Sequence, residues 1–117
     1  MYKSLESFLI FLSSIKKLLI LFFVGYTLIV ITRLPQLLSP SFMLDGDECI
    51  LGLMAKHMAE GKETPVFLYG QNYGFSLIEG RCAALGFRLI GVSAVTLKLA
   101  MLFLWTIGCL FLFPFWE

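Results

Sequence analysis

Two long apolar runs frame a more polar middle. The stretch 18–31 carries no charge, and extension back to Ser14 and on to Leu34 brings it close to the ~20 residues a helix needs to cross a bilayer. Lys16 and Lys17 stand at its start, where their aliphatic stems can lie along apolar surface while the ammonium groups reach the interface. The earlier stretch 5–12 is apolar but short, which predicts a lead-in lying along the interface. A basic stretch before an apolar core is also the form of a signal peptide. No small-x-small cleavage site follows it, since Leu37, Leu38, Ser39 and Pro40 fit poorly, so an uncleaved span is expected. The second span is predicted from Ala94 to Phe115, with Ser93 placed to cap it and Lys98 as its only charge, an interfacial anchor or a contact to lipid phosphate.

Between the spans the pattern predicts two helices around a turn. From Asp47 to Glu60, Ile50, Leu51, Leu53, Met54 and Met58 suggest one apolar face, with Glu48, Lys56 and Glu60 on the other. Gly61 stops this helix. Residues 62–75 mix turn formers with Phe67, Tyr69 and Tyr73 and read as a structured loop rather than a linker. The second loop helix runs from Ser76 to Ile90, ends at Gly91, and carries Gly80, Ala83, Ala84 and Gly86, small residues that let another helix approach closely. The expected fold is an all-α membrane protein of two transmembrane helices joined by an outer loop that holds two short amphipathic juxtamembrane helices. Its parts are a lead-in and first span over 1–34, an extracytoplasmic loop over 35–93 and a second span over 94–117.

Composition supports this reading. Hydrophobic residues are 59% and aromatic residues 15% of the 117, against roughly 45–50% apolar content in soluble domains. Nine Lys and Arg against eight Asp and Glu leave no electrostatic footprint for nucleic acid. Lys3, Lys16 and Lys17 precede the first span and outnumber Glu6, so the positive-inside tendency predicts a multi-pass protein with a cytoplasmic N-terminus and the long loop outside. Cys49, Cys82 and Cys109 make no metal-ligand pattern. Cys49 and Cys82 could pair, but free thiols are the expectation.

The candidate chemistry gathers where the chain leaves the first span. Asp45 and Glu48 have the spacing of a capping box, a bond pair worth about 1 kcal/mol, and acidic groups also suit the positive end of the helix dipole. Asp47, between them, is surplus to a cap. Asp45-Gly46-Asp47 also spells Asp-x-Asp, which can chelate a divalent cation when a sugar phosphate completes the coordination. An EF-hand calcium loop is excluded, because Cys49 and Ile50 occupy positions that need an oxygen ligand and a glycine. Ser76 and Glu79 repeat the capping-box spacing. Arg81 and Arg88, seven apart, share a helix face and could receive a phosphate or reach lipid head groups. His57 has no second ligand in sight, so a surface or packing role is expected.

The order of the pieces is the most specific feature: a first span, GDECILGLMAKHMAEG, PVFLYGQNYGFSLIEG, then FRLIGVSAVTLKLAMLF. This resembles the start of the polytopic GT-C glycosyltransferases, the family of dolichyl-phosphate-mannose protein mannosyltransferases and their bacterial lipid-sugar relatives. The resemblance lies in Asp47-Glu48 at the head of the first loop helix, Gly52 four residues on, Ala55 and Gly61 at its end, Tyr69-Gly70-Gln71 with Tyr73, and the Ile90-Gly91-Val92-Ser93 break before Leu97, Lys98 and Leu99. It covers residues 41–104.

The resemblance implies a membrane enzyme, expected in a bacterial inner membrane, that takes a sugar from a polyprenyl-phosphate donor at the outer face and passes it to an acceptor with inversion. By position it makes Asp47 the catalytic base, with Glu48 beside it. Arg81, Arg88 or a bound divalent cation would meet the leaving phosphate. Tyr69, Gln71, Tyr73 and Glu79 would line the substrate. Such enzymes have many spans, so the chain is expected to be a fragment, inactive alone, that completes a split or full-length transferase. The competing expectation is a small two-span scaffold or partner-binding membrane protein without catalysis.

Overall fold

The computed structural model describes residues 2–39, 43–72 and 74–112, with side chains from Glu6 onward. Four helices follow in order: α1, Tyr2–Leu37; α2, Gly46–Ala59; α3, Leu77–Leu89; and α4, Ala94–Leu112. The predicted end of the second span at Phe115, like Tyr73, lies outside the described residues.

The interfacial lead-in is not a separate element. Leu5 to Leu12 and the first apolar run belong to one helix of 36 residues, because Leu, Ile and Phe propagate helix and no proline interrupts before Pro35. Pro35 cannot donate to a carbonyl one turn back, but it falls in the last turn, where the loss ends the helix rather than kinking it. Leu38 closes that turn by donating its N–H to the Leu34 carbonyl at 2.9 Å.

α1 and α4 are long and apolar enough to cross a membrane. They run antiparallel, since Tyr26 Oη donates to the Leu99 carbonyl at 3.1 Å while Phe22, a turn earlier on α1, meets Phe103, a turn later on α4. The Phe22 and Phe103 rings pack edge-to-face with centroids 5.3 Å apart, a favoured aromatic geometry. Most of the remaining α1 surface is exposed apolar side chain, Ile10, Ile20 and Phe23 among it.

The core forms where α3 lies between α2 and α4. Leu51 and Ala55 of α2, Ala83, Ala84 and Phe87 of α3, and Leu97 and Ala100 of α4 make one buried cluster. Small residues set its spacing. A β-carbon on Gly80 would stand 3.1 Å from Met58 Cε, and one on Gly86 would stand 3.2 Å from Thr96 Cγ2. Burial on α2 falls on Leu51, Met54 and Ala55, while Leu53, predicted on the same apolar face, is exposed.

α2 stops in a Schellman motif, with Lys62 N–H donating to the His57 carbonyl at 2.9 Å and Gly61 N–H to Met58 at 3.1 Å. Gly61 adopts φ +78°, the left-handed region that glycine enters without a β-carbon clash. The loop that follows is a tight antiparallel turn. Gln71 N–H donates to the Leu68 carbonyl at 3.0 Å, with Gly70 at φ +75°, the third position where a type II turn requires positive φ. Leu68 and Ser76 N–H then bond across to Gly74 and Val66, both at 3.3 Å.

The Ser76 capping box does not form. Ser76 makes no side-chain cap on α3. It is drawn into the core, only 2% exposed, with its hydroxyl on Met54 Sδ at 3.8 Å. Glu79 is left at the surface. Ser93 does cap α4, accepting from the Thr96 N–H at 3.0 Å.

Candidate functional site

The head of α2 is the most organised polar region. Asp45 is the N-cap, accepting from Gly46 N–H at 2.6 Å and completing a capping box with Glu48. Glu48 returns Oε2 to the Asp45 N–H at 3.0 Å. Its other oxygen, Oε1, is taken by the Lys98 ammonium of α4, in an ion pair whose side chains are 34% and 26% exposed respectively. Burial raises the Glu48 carboxyl, but the Lys98 hydrogen bond, the Asp45 N–H and the Lys98 charge together hold it below the usual Glu range.

Asp47 remains outside this lock. It is exposed, and its Oδ1 accepts from Gln71 Nε2 at 3.3 Å. The turn at 68–71 therefore folds back over the start of α2 and brings Gln71 to the acid. The other end of the Gln71 carboxamide is less well served, since its Oε1 is buried without a partner among the described residues.

Tyr69 points elsewhere along the same helix. Its hydroxyl lies 2.9 Å from His57 Nδ1, so the histidine that had no partner in the local sequence finds one across the loop. Arg88 also turns away from Asp47, donating Nε to the Ala59 carbonyl at 3.0 Å and Nη2 to Met58 at 3.2 Å. Those carbonyls belong to the α2 C-terminus, where a cation is favoured by the helix dipole. Arg81 and Arg88 share a face, as the spacing predicted. They line an open cavity of about 620 Å³ together with Lys62 and Glu63. Lys62 is itself bound to Glu60 at 2.6 Å.

The expected constellation is thus divided. Asp47, Glu48 and Gln71 meet at the head of α2, while Arg81 and Arg88 lie at its far end. Ala59, which anchors Arg88, is about 18 Å from Asp47 along the axis at 1.5 Å per residue. Among the described residues no three His, Cys, Asp or Glu side chains gather to hold a metal ion. Asp45 and Asp47 alone do not form such a set, because the cap occupies Asp45. The cysteines are free thiols. Burial pushes the Cys82 thiol up, and its Sγ rests 3.7 Å from the Ala100 carbonyl.

A second polar region escaped the sequence reading. Arg33 and Gln36 near the end of α1 face Lys98 and Trp105 of α4 and Glu48 of α2 around a cavity of about 250 Å³. Local periodicity carries no sign of it, because the residues come from three helices. No protein-family model, curated protein or solved structure matches the chain.

Proposed function

We propose that α1 and α4 insert in a membrane and that the chain is the N-terminal portion of a GT-C-like glycosyltransferase, with Asp47 as the base that deprotonates the acceptor. The observation that carries this reading is the division of labour at the head of α2. The cap uses Asp45 and Glu48, Lys98 uses the second oxygen of Glu48, and Asp47 keeps an exposed carboxylate held, among the described residues, only by Gln71. A carboxylate fixed at a helix start beside a membrane surface can accept the proton of an acceptor hydroxyl as the anomeric carbon of a polyprenyl-phosphate sugar is attacked. Glu48 then serves as a positioning residue, since its side chain holds the helix start in place.

Loss of a general base lowers rate by roughly 10²–10⁴. Asp47→Asn in the longest natural form of the protein is expected to reduce sugar transfer in isolated membranes by that order, with protein level and α-helical content unchanged. Retained transfer would remove Asp47 from the chemistry.

The structural use of Asp45 and Glu48 equally favours a second reading, a two-span scaffold in which the acids only build the helix start. Under it Asp47→Asn leaves partner capture from membranes unchanged, whereas Gly86→Leu, which separates α3 from α4, abolishes it.

A further inference from the structure

The cavity at the ends of α1 and α4 has the polarity gradient of an amphiphile. Arg33 lies about one turn from the end of α1 and Lys98 about one turn inside α4. Gln36 and Glu48 complete this polar rim, while Leu102 and Trp105 form the apolar wall below it. Trp105 lies about 10 Å further along α4 than Lys98 and is 72% exposed.

The charges in this rim are not balanced. Lys98 is neutralised by Glu48, but Arg33 makes no hydrogen bond or ion pair among the described residues. Arg33 is exposed at the end of an apolar span, where a guanidinium can reach an anion in the head-group region, and its planar fork suits the two oxygens of a phosphate. Glu48 already shows how the rim treats an anion, because it places a carboxylate oxygen on Lys98.

We infer that this cavity binds the phosphate of an anionic membrane lipid, with Arg33 and Gln36 on the phosphate oxygens, Lys98 shared between lipid and Glu48, and the acyl chain against Leu102 and Trp105. A lipid fits better than a free ion because the polar rim continues directly into an apolar wall. The inference rests on the insertion of α1 and α4 in a membrane and not on the chemistry of Asp47.

The test uses the full chain with Trp116→Phe, so that Trp105 is the sole tryptophan and is excited selectively at the red edge of its absorption, reconstituted in phosphatidylcholine vesicles containing a minority of phosphatidylglycerol. Quenching of Trp105 is compared when either lipid carries brominated chains. Each basic group near the surface is worth about fivefold in anionic-lipid preference, so brominated phosphatidylglycerol is expected to quench about fivefold or more beyond its mole fraction. Arg33→Gln should bring that ratio near one, and Glu48→Gln should raise it by freeing Lys98.

A ratio of one in the parent chain, or an unchanged ratio in Arg33→Gln, overturns the assignment. If inorganic phosphate displaces the brominated lipid as effectively as an equal concentration of phosphatidylglycerol, the site is one for the free ion and the lipid assignment fails. Absence of quenching by both brominated lipids, with release of the protein by alkaline carbonate, is a separate result: it overturns membrane insertion and this site with it.

Discussion

Glu48 binds two partners at once, the N–H of Asp45 at the start of its own helix and the ammonium of Lys98 on α4, fifty positions along the chain. The first bond is local and the second is tertiary. Together they fix the head of α2 against the N-terminal end of α4, beside both Asp47 and the Arg33 cavity.

The pair sets a pH dependence. The Glu48 carboxyl lies below its ordinary value in the folded chain, so its contribution is fully present above the unfolded value and is lost as pH falls through the folded one. Thermal midpoints of the parent chain in detergent should fall on acidification through the carboxylate range, and Glu48→Gln should flatten that part of the profile. An equally steep profile in Glu48→Gln would assign the effect to other groups.

A double-mutant cycle on Glu48→Gln and Lys98→Met is expected to give a coupling of about 1 kcal/mol, the upper end for a partly exposed pair. Chemical unfolding in mixed micelles reads it. Additive single changes would mean that the pair contributes nothing to stability.

The two glycines of α3 should respond differently to the same change. A β-carbon at Gly80 meets Met58 Cε, the end of a flexible side chain, so Gly80→Ala should be neutral or stabilising, by up to ~1 kcal/mol from helix propensity. At Gly86 it meets buried Thr96, which is β-branched and hydrogen-bonded to Ser93, so Gly86→Ala should destabilise by about 1–3 kcal/mol through overpacking. Equal shifts in the unfolding midpoint would contradict this account.

Tyr69→Phe removes the hydroxyl from His57 Nδ1 and should cost about 1 kcal/mol, confined to the turn between α2 and α3. Hydrogen exchange at Leu68 and Ser76, whose N–H groups bond across that turn, is expected to accelerate while exchange in α4 stays unchanged. Uniform acceleration would mean that the pair supports the whole fold instead.

Cysteine labelling checks both burial and sidedness. Cys49 is exposed, whereas Cys82 is half-buried and its thiol is pushed up by burial, which slows attack because the thiolate is the nucleophile. A membrane-impermeant maleimide should label Cys49 in intact cells well before Cys82. Labelling of Cys49 only after lysis would reverse the orientation expected from Lys16 and Lys17.

Much of this architecture is local and was therefore legible. The cap at Asp45 and Glu48, the stop at Gly61 and the start of α4 at Ser93 each depend on neighbours within four or five residues. The small-residue stripe of α3 likewise showed that another helix must come close, although not which one. Ser76 shows the limit of this local logic. It had the spacing of a cap, but burial against Met54 outweighed that bond.

By itself, then, the sequence determined the start and stop of α2, the start of α4 and which two helices are apolar enough to span, because these follow from propensity, capping and periodicity over a few turns. Only the tertiary structure decided that Lys98 belongs to Glu48, that His57 belongs to Tyr69, that Arg88 sits at the opposite end of α2 from Asp47, and that Arg33 opens onto a cavity with Lys98 and Trp105. The physical reason is distance along the chain. Side chains separated by a dozen to seventy residues meet only after the helices have packed, and no local pattern encodes the angle at which they do so.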